Sequence, residues 1–369
     1  MKKRGVILPA ENALEAAVVD GVEVYPVSSL AQAVSFLNET LPLPPFVLDG
    51  ESYTSSSKSE TLDFADVRGQ EAVKRAITIA AAGQHNILMI GPPGTGKTML
   101  ASRIPGIMPP LTRNESLETT RIYSALGLLP EGVALLDQRP CRSPHHSASA
   151  PALIGGGAIP KPGEVSLAHH GVLFLDELPE FSRYALEMLR QPLEGGEVNI
   201  ARVHGSIKFP ARFMLVAATN PTASGHDPKD PRHRDKYLSR LSGPLVDRID
   251  IHVEVPTVPY KELTGKRAGT DSGTMKRQVD NARSRQRARF GDDTLNSQMS
   301  SKLLQKHGNL SETCLLLMKQ AMDELGLSAR AYDKVRRVAR TIADMDLSDE
   351  IQEQHLAEAV QYRLLDRKQ

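Results

Sequence analysis

The octapeptide Gly91-Pro92-Pro93-Gly94-Thr95-Gly96-Lys97-Thr98 constrains the fold of this chain more than any other feature. It is entered from the apolar run Asn86-Ile87-Leu88-Met89-Ile90 and left through the helix-forming Met99-Leu100-Ala101-Ser102-Arg103. A strand that stops at a glycine-rich loop and restarts as a helix turns backbone N–H groups inward at the positive end of the helix dipole, which makes a cradle for phosphate. In that setting Lys97 reaches the β and γ phosphates of ATP, and the Thr98 hydroxyl is a ligand for Mg²⁺. Such a strand needs parallel neighbours with helices on both faces, so the motif predicts an α/β domain built around a P-loop.

The surrounding sequence supplies those neighbours. Between Asp63 and Pro256 apolar strands at Gly171 to Leu175 and Phe213 to Ala218 alternate with helical segments, and residues 63–256 are read as the ATPase core. Residues 257–369 turn helical, with segments at Met275 to Arg289, Glu312 to Leu325, Ala331 to Asp344 and Ile351 to Arg363, and are read as a helical lid and C-terminal domain. Ahead of the core, residues 1–45 alternate strand and helix, with a helix capped by Ser28 or Ser29 and running to Leu37, too few elements to close a sheet of their own. Residues 46–62, at the end of a proline-rich stretch and rich in serine, are read as a linker.

Four further segments carry chemistry. The strand Gly171 to Leu175 ends in Asp176-Glu177, where the first carboxylate fits a Mg²⁺ ligand and the second a base that polarises the attacking water. Asn220 ends the next strand, in position to orient that water; alone, Asn220-Pro221 is only a turn. Arg248 in Pro244-Leu245-Val246-Asp247-Arg248 matches an arginine presented to a neighbouring subunit's γ-phosphate, the alternative being a local pair with Asp247 or Asp250. Arg330, opening a helix after Leu327-Ser328, fits a lid arginine that contacts nucleotide, or an ordinary solvated arginine.

Composition removes other classes. With 45 Lys and Arg against 44 Asp and Glu, the surface as a whole sets up no field for nucleic acid, so any such binding must come from local loops. No apolar run has membrane-spanning length and no secretory pattern follows Met1, so a cytoplasmic location and no membrane partner are expected. The two cysteines, Cys141 and Cys314, are far apart and support neither a disulfide framework nor a zinc site. His145 and His146 have no third ligand at suitable spacing and are read as structural or coupling residues. The arginines at 283, 285, 287 and 289 have period two on a helix and are expected to scatter over a solvated surface.

The runs Arg142-Ser143-Pro144-His145-His146, Gly155-Gly156-Gly157-Ala158-Ile159-Pro160-Lys161-Pro162-Gly163-Glu164 and Leu175-Asp176-Glu177-Leu178-Pro179-Glu180-Phe181 resemble the magnesium-chelatase-like AAA+ ATPases of the ComM (YifB) family, and the resemblance covers essentially the whole chain. It implies an AAA+ fold with a helical lid, in which Asn220 is the first sensor residue, Arg248 the finger and Arg330 the second sensor. It implies a Lon-protease-like domain ahead of the core, of which residues 5 to 40 match only the last quarter, so that the chain looks truncated at its N-terminus. It implies a homo-oligomer, a hexamer with DNA in its pore, acting as a helicase in branch migration during natural transformation. The alternating stretch Glu197 to Phe209 then corresponds to a pore hairpin with Arg202 near its tip and Lys208 on the returning strand, and Gly155 to Lys161 to an insert with Lys161 near its tip. The loop after Asn220 lacks the cysteines that family members often carry, and no metal cluster is expected there. Two other readings are a magnesium-chelatase ATPase subunit and an ATP-binding remnant without motor activity.

Overall fold

The computed structural model describes residues 5–47, 62–130, 132–202, 205–222, 241, 243–264, 269–291, 294–363 and 365. The chain divides into two compact units, Met1–Ser59 with Pro110–Gln138, and Glu60–Pro109 with Arg139–Gln369.

In the first unit β1 (Gly5–Pro9) pairs in parallel with β2 (Glu23–Val27). The helix Leu30–Leu37 follows, and Ser29 rather than Ser28 caps it, its side chain accepting from the Gln32 N–H. The helix Arg113–Ala125 joins this unit although it comes some ninety residues later in sequence: Val18, Ala134 and Leu135 form a small core with Leu14 and Leu117, and Arg113 pairs with Asp20 at 2.8 Å. A capping box between Thr112 and Glu115 starts that helix. Residues 110–138, which fall inside the stretch read from sequence as ATPase core, thus pack with the N-terminal segment.

The second unit is built on a parallel sheet of five strands. They are β3 (Ile87–Ile90), β4 (Cys141–Arg142), β7 (Val172–Leu175), β10 (Met214–Thr219) and β11 (Ile251–Glu254), in the spatial order β11-β3-β10-β7-β4. Two antiparallel hairpins stand outside this sheet, β5 (Gly155–Gly156) with β6 (Lys161–Pro162), and β8 (Glu197–Arg202) with β9 (Gly205–Pro210). The central strands are apolar on both faces because both are covered. Ile87, Met89, Phe174, Val216 and Val253 face one core with the helices Glu71–Gly83, Lys97–Ile107, Ser272–Phe290 and Ala329–Met345. Leu88, Ile90, Leu173, Leu175, Leu215 and Ala217 face a second core with Leu153, Val165, Phe181 and Leu186. This is the AAA+ α/β fold, a P-loop sheet between helical layers followed by helices.

The helix Ser272–Phe290 departs from the expectation of a solvated arginine surface. Arg283 donates to the Ala81 carbonyl at 2.8 Å, and Arg289 binds Asp344 at 2.6 Å, with Arg285 and Arg340 on the same carboxylate. Asp344 is fully buried, and a buried carboxylate requires such partners, so these arginines clamp the helices together.

Candidate nucleotide site

Parallel strands carry their C-terminal ends to one edge of a sheet, and register decides which side chains meet there. Thr219 lies beside Ile90, and Ala217 lies beside both Leu88 and Leu175, so the loops after β3, β7 and β10 emerge together. Gly91 donates to the Thr219 carbonyl at 3.1 Å, and a Cβ on Gly91 would stand 2.2 Å from the Val255 carbonyl oxygen, so only glycine fits where the loop leaves the sheet. Gly94 and Gly96 turn with φ of +78° and +87° and have open space where a side chain would be, which leaves a cradle lined by backbone.

Five side chains converge on that cradle. Lys97 Nζ donates to the carbonyls of Gly91 (2.6 Å) and Pro92 (2.9 Å) and to Asn220 Oδ1 (3.1 Å). Burial draws its ammonium below the ordinary lysine range, while Asp176 and Glu177 oppose that shift. Thr98 Oγ1 donates to Asp176 Oδ2 at 2.9 Å, and the other oxygen of Asp176 accepts from the Glu177 N–H. Glu177 itself has left-handed backbone, φ +50°, uncommon for a residue with a side chain. The donor set fits Mg·ATP: three ammonium protons now held by neutral acceptors, a hydroxyl and carboxylate pair of the kind that holds Mg²⁺, and an open anion cradle at a helix N-terminus.

Arg248 and Arg330 lie elsewhere. Asn86, at the opposite end of β3, donates from Nδ2 to the Arg248 carbonyl at 2.9 Å. The Arg248 guanidinium pairs with Glu194, and neither Asp247 nor Asp250 takes the local pair that the sequence offered. Arg330 pairs with Asp247 at 3.3 Å. Both arginines line a cleft of about 580 Å³ at the edge where β3, β10 and β11 begin, with Asn86, Arg212 and Lys334. Within one chain the structure therefore joins Lys97, Thr98, Asp176, Glu177 and Asn220 and sets Arg248 and Arg330 at the far edge of the same sheet.

The basic hairpin residues belong to the two hairpins outside the sheet. Lys208, on β9 opposite Asn199, forms an exposed ion pair with Glu197 at 2.8 Å. The hairpin turn at 203 and 204 and the side chain of Arg202 lie outside the described residues. Lys161 is exposed and pairs across β5–β6 with Gly156. Sequence reasoning missed one contribution and left the partner of another open. Asn86 carries no motif signal, yet it ties the starts of β3, β10 and the Arg248 segment together, its Oδ1 accepting from the Leu215 N–H at 2.9 Å. His146, whose pairing with His145 was the one available signal, lies against Glu177.

Residues 63–263 match the family model described as magnesium chelatase, subunit ChlI, and residues 269–363 that described as magnesium chelatase, subunit ChlI C-terminal. The chain is 47% identical to Competence protein ComM of Haemophilus influenzae over 98% of its own length and 72% of that protein's. It is 44% identical to the uncharacterized protein YifB of Salmonella typhimurium over 99% and 72%. The match to the magnesium-chelatase 38 kDa subunit of Rhodobacter capsulatus is 25% over 52% of this chain and 55% of that one. With a P-loop sheet of the AAA+ kind and matches of this extent, the chain belongs to the ComM/YifB family of magnesium-chelatase-like AAA+ ATPases.

Proposed function

We propose that this chain is the subunit of an ATP-hydrolysing ring, a hexamer, that works on DNA as a branch-migrating helicase in recombination or natural transformation. The observation that carries the ATPase reading is the convergence of Lys97, Thr98, Asp176, Glu177 and Asn220 on one cradle. The bound Mg·ATP supplies the phosphoanhydride to be broken and a divalent charge beside it. Lys97 exchanges its carbonyl partners for phosphate oxygens, Thr98 and Asp176 hold the metal, Asn220 orients the attacking water, and Glu177 takes its proton. Arg248 completes the chemistry in trans, because its own cradle lies at the other edge of the sheet, and Arg330 joins it at the same interface.

The DNA reading rests on kinship with Competence protein ComM and on Lys161, Lys208 and Arg202, which occupy two hairpins outside the sheet. The Lys208–Glu197 pair is exposed and of little net stability, so phosphate can displace the glutamate. The magnesium-chelatase reading has the two family-model matches in its favour, but its named relative agrees over half of the chain at 25%. The deciding experiment measures ATP hydrolysis by the purified protein alone, with single-stranded DNA and with forked DNA. Stimulation and strand displacement are expected; hydrolysis indifferent to both DNAs would sink the helicase reading and leave the ATPase standing.

A further inference from the structure

We propose that Glu194 is a positioning residue for Arg248: its carboxylate parks the guanidinium against the foot of the β8–β9 hairpin, and a load on that hairpin releases it toward a neighbouring subunit's phosphate. This rests on reading Arg248 as a finger acting in trans and the hairpin as a contact for DNA.

The Arg248 backbone is fixed, its N–H donating to the Leu245 carbonyl at 2.9 Å and its carbonyl accepting from Asn86, so what can change is the direction of the side chain. That side chain is 12% exposed and only partly satisfied. Nη1 donates to the Pro244 carbonyl and Nη2 to Glu194 Oε1, while Nε is buried and has no acceptor among the described residues. A buried N–H without an acceptor costs free energy, so the carboxylate, and not a complete set of partners, holds this pose. The nearer acids are engaged elsewhere: Asp247 takes Arg330 at 3.3 Å, and Asp250 takes Lys334 at 3.1 Å. Arg248 is left to Glu194, an exposed carboxylate that a phosphate of higher charge can displace.

Glu194 belongs mechanically to the hairpin. It lies in the last turn of the helix Arg190–Gly195, and a single residue, Gly196, joins that helix to β8. Gly196 turns with φ +66°; its N–H donates to the Pro192 carbonyl at 2.9 Å, and its own carbonyl accepts from the Ala211 N–H, just past β9, at 2.8 Å. A Cβ on Gly196 would stand 2.8 Å from Arg212 Cγ, so the two legs of the hairpin close on each other there without slack. Glu194 and Gly196 from one leg and Arg212 from the other wall the cleft of about 580 Å³ that Arg248 and Arg330 share, and that cleft gives the guanidinium room to turn. Beyond the foot, Ile207 and Lys208 on β9 are exposed. A pull on them is delivered to a foot that lies two residues from the carboxylate parking the arginine.

The test measures kcat and KM for ATP, the affinity of a fluorescent ATP analogue, and the response to a single-stranded oligonucleotide in the full chain, with all variants in the same assembly state by sedimentation. Glu194→Ala is expected to raise basal kcat several-fold at unchanged nucleotide affinity and to remove most of the further acceleration by the oligonucleotide. Glu194→Gln, which keeps an acceptor oxygen without the charge, should fall between alanine and wild type, and it answers in place of alanine if that variant fails to fold. The gain should vanish in Glu194→Ala with Arg248→Ala, since the freed arginine is what accelerates hydrolysis. A basal kcat at or below wild type in both single variants overturns the hold, as does a gain that survives the loss of Arg248. A raised basal kcat with full acceleration by the oligonucleotide overturns the link to the hairpin. Hydrolysis by Arg248→Ala alone at the wild-type rate would sink the finger reading and the hold with it. A wild-type enzyme that hydrolyses ATP and ignores the oligonucleotide sinks the DNA reading and the hairpin link together, and the basal rates still decide the hold.

Discussion

Arg248→Ala should leave ATP binding intact and lower kcat by about 10³-fold or more, the scale at which an arginine supplied to a transferring phosphoryl group acts. The structure sets the geometry. Five residue steps separate Asn86 from Gly91, about 16 Å at about 3.3 Å per residue, and the Arg248 backbone is pinned to Asn86, so its guanidinium cannot reach its own P-loop. The carboxylate left behind is not stranded, because Glu194 is 63% exposed and water can replace its partner. The assay mixes Arg248→Ala with Glu177→Gln subunits. Each Arg248→Ala subunit offers an intact cradle without a finger, and each Glu177→Gln subunit a finger without a base. In randomly mixed equimolar rings about one interface in four then has both parts, so activity should recover in part, to at most about a quarter of wild type. Rings verified as mixed that remain as inactive as either parent would refute trans action by Arg248.

Further outcomes follow from the same geometry. Lys97→Ala should abolish nucleotide binding in equilibrium titration, whereas Glu177→Gln should bind normally and stop turnover; equal loss of affinity in both would show the roles are misassigned. Substituting Arg202 and Lys208 together should weaken binding to single-stranded DNA uniformly across sequences and reduce the slope of log K against log salt by about 1.4, two phosphate contacts at about 0.7 each. Asp250→Asn should destabilise the fold by about 3–5 kcal/mol in denaturant unfolding, since it leaves Lys334 buried 3.1 Å from a neutral amide, and adding Lys334→Met should restore most of that. Burial pushes the Asp250 carboxyl up, but Lys334 and His85 more than offset this and hold it below the ordinary carboxylate range. A depressed folded-state pKa contributes stability that is present above the unfolded value near 3.9 and is lost as pH falls through the folded one, so the acid-side decline in stability should be shallower in Asp250→Asn.

What could be read without coordinates was what local sequence encodes. Ser311 before and Gly326 after the helix Glu312–Leu325 are start and stop signals, and the expected bounds of that helix coincide with those observed. The octapeptide and Asp176-Glu177 likewise carry strand, turn and chemistry within a few residues. The unread parts are pairings across long sequence separations, which leave no periodicity. Arg248 finds Glu194, 54 residues earlier, in preference to acids one and two positions away. Arg289 finds Asp344, 55 residues later, so a helix whose arginines have period two is a clamp and not a solvated rod. Residues 110–138 sit between two motifs of the core yet pack on the N-terminal segment, because Leu117, Ala134 and Leu135 find apolar partners in Leu14 and Val18. His146 was visible as half of a histidine pair, and only the fold brings it to Glu177.

The placement of both half-sites on one strand bears on how a ring of such subunits would act. β3 ends in the loop that holds Lys97 and begins at Asn86, whose side chain fixes the Arg248 carbonyl on one side and the β10 backbone on the other. β10 in turn ends beside Asn220, which accepts from Lys97. Hydrogen-bonded strands of four and six residues, buried on both faces, are short and stiff, so a shift of Lys97 or Asn220 toward phosphate is carried to the far edge with little loss. In the proposed ring that far edge is the next subunit's catalytic arginine. Nucleotide exchange at one interface would then alter the finger offered at its neighbour, and hydrolysis would proceed around the ring in sequence without a separate signalling element.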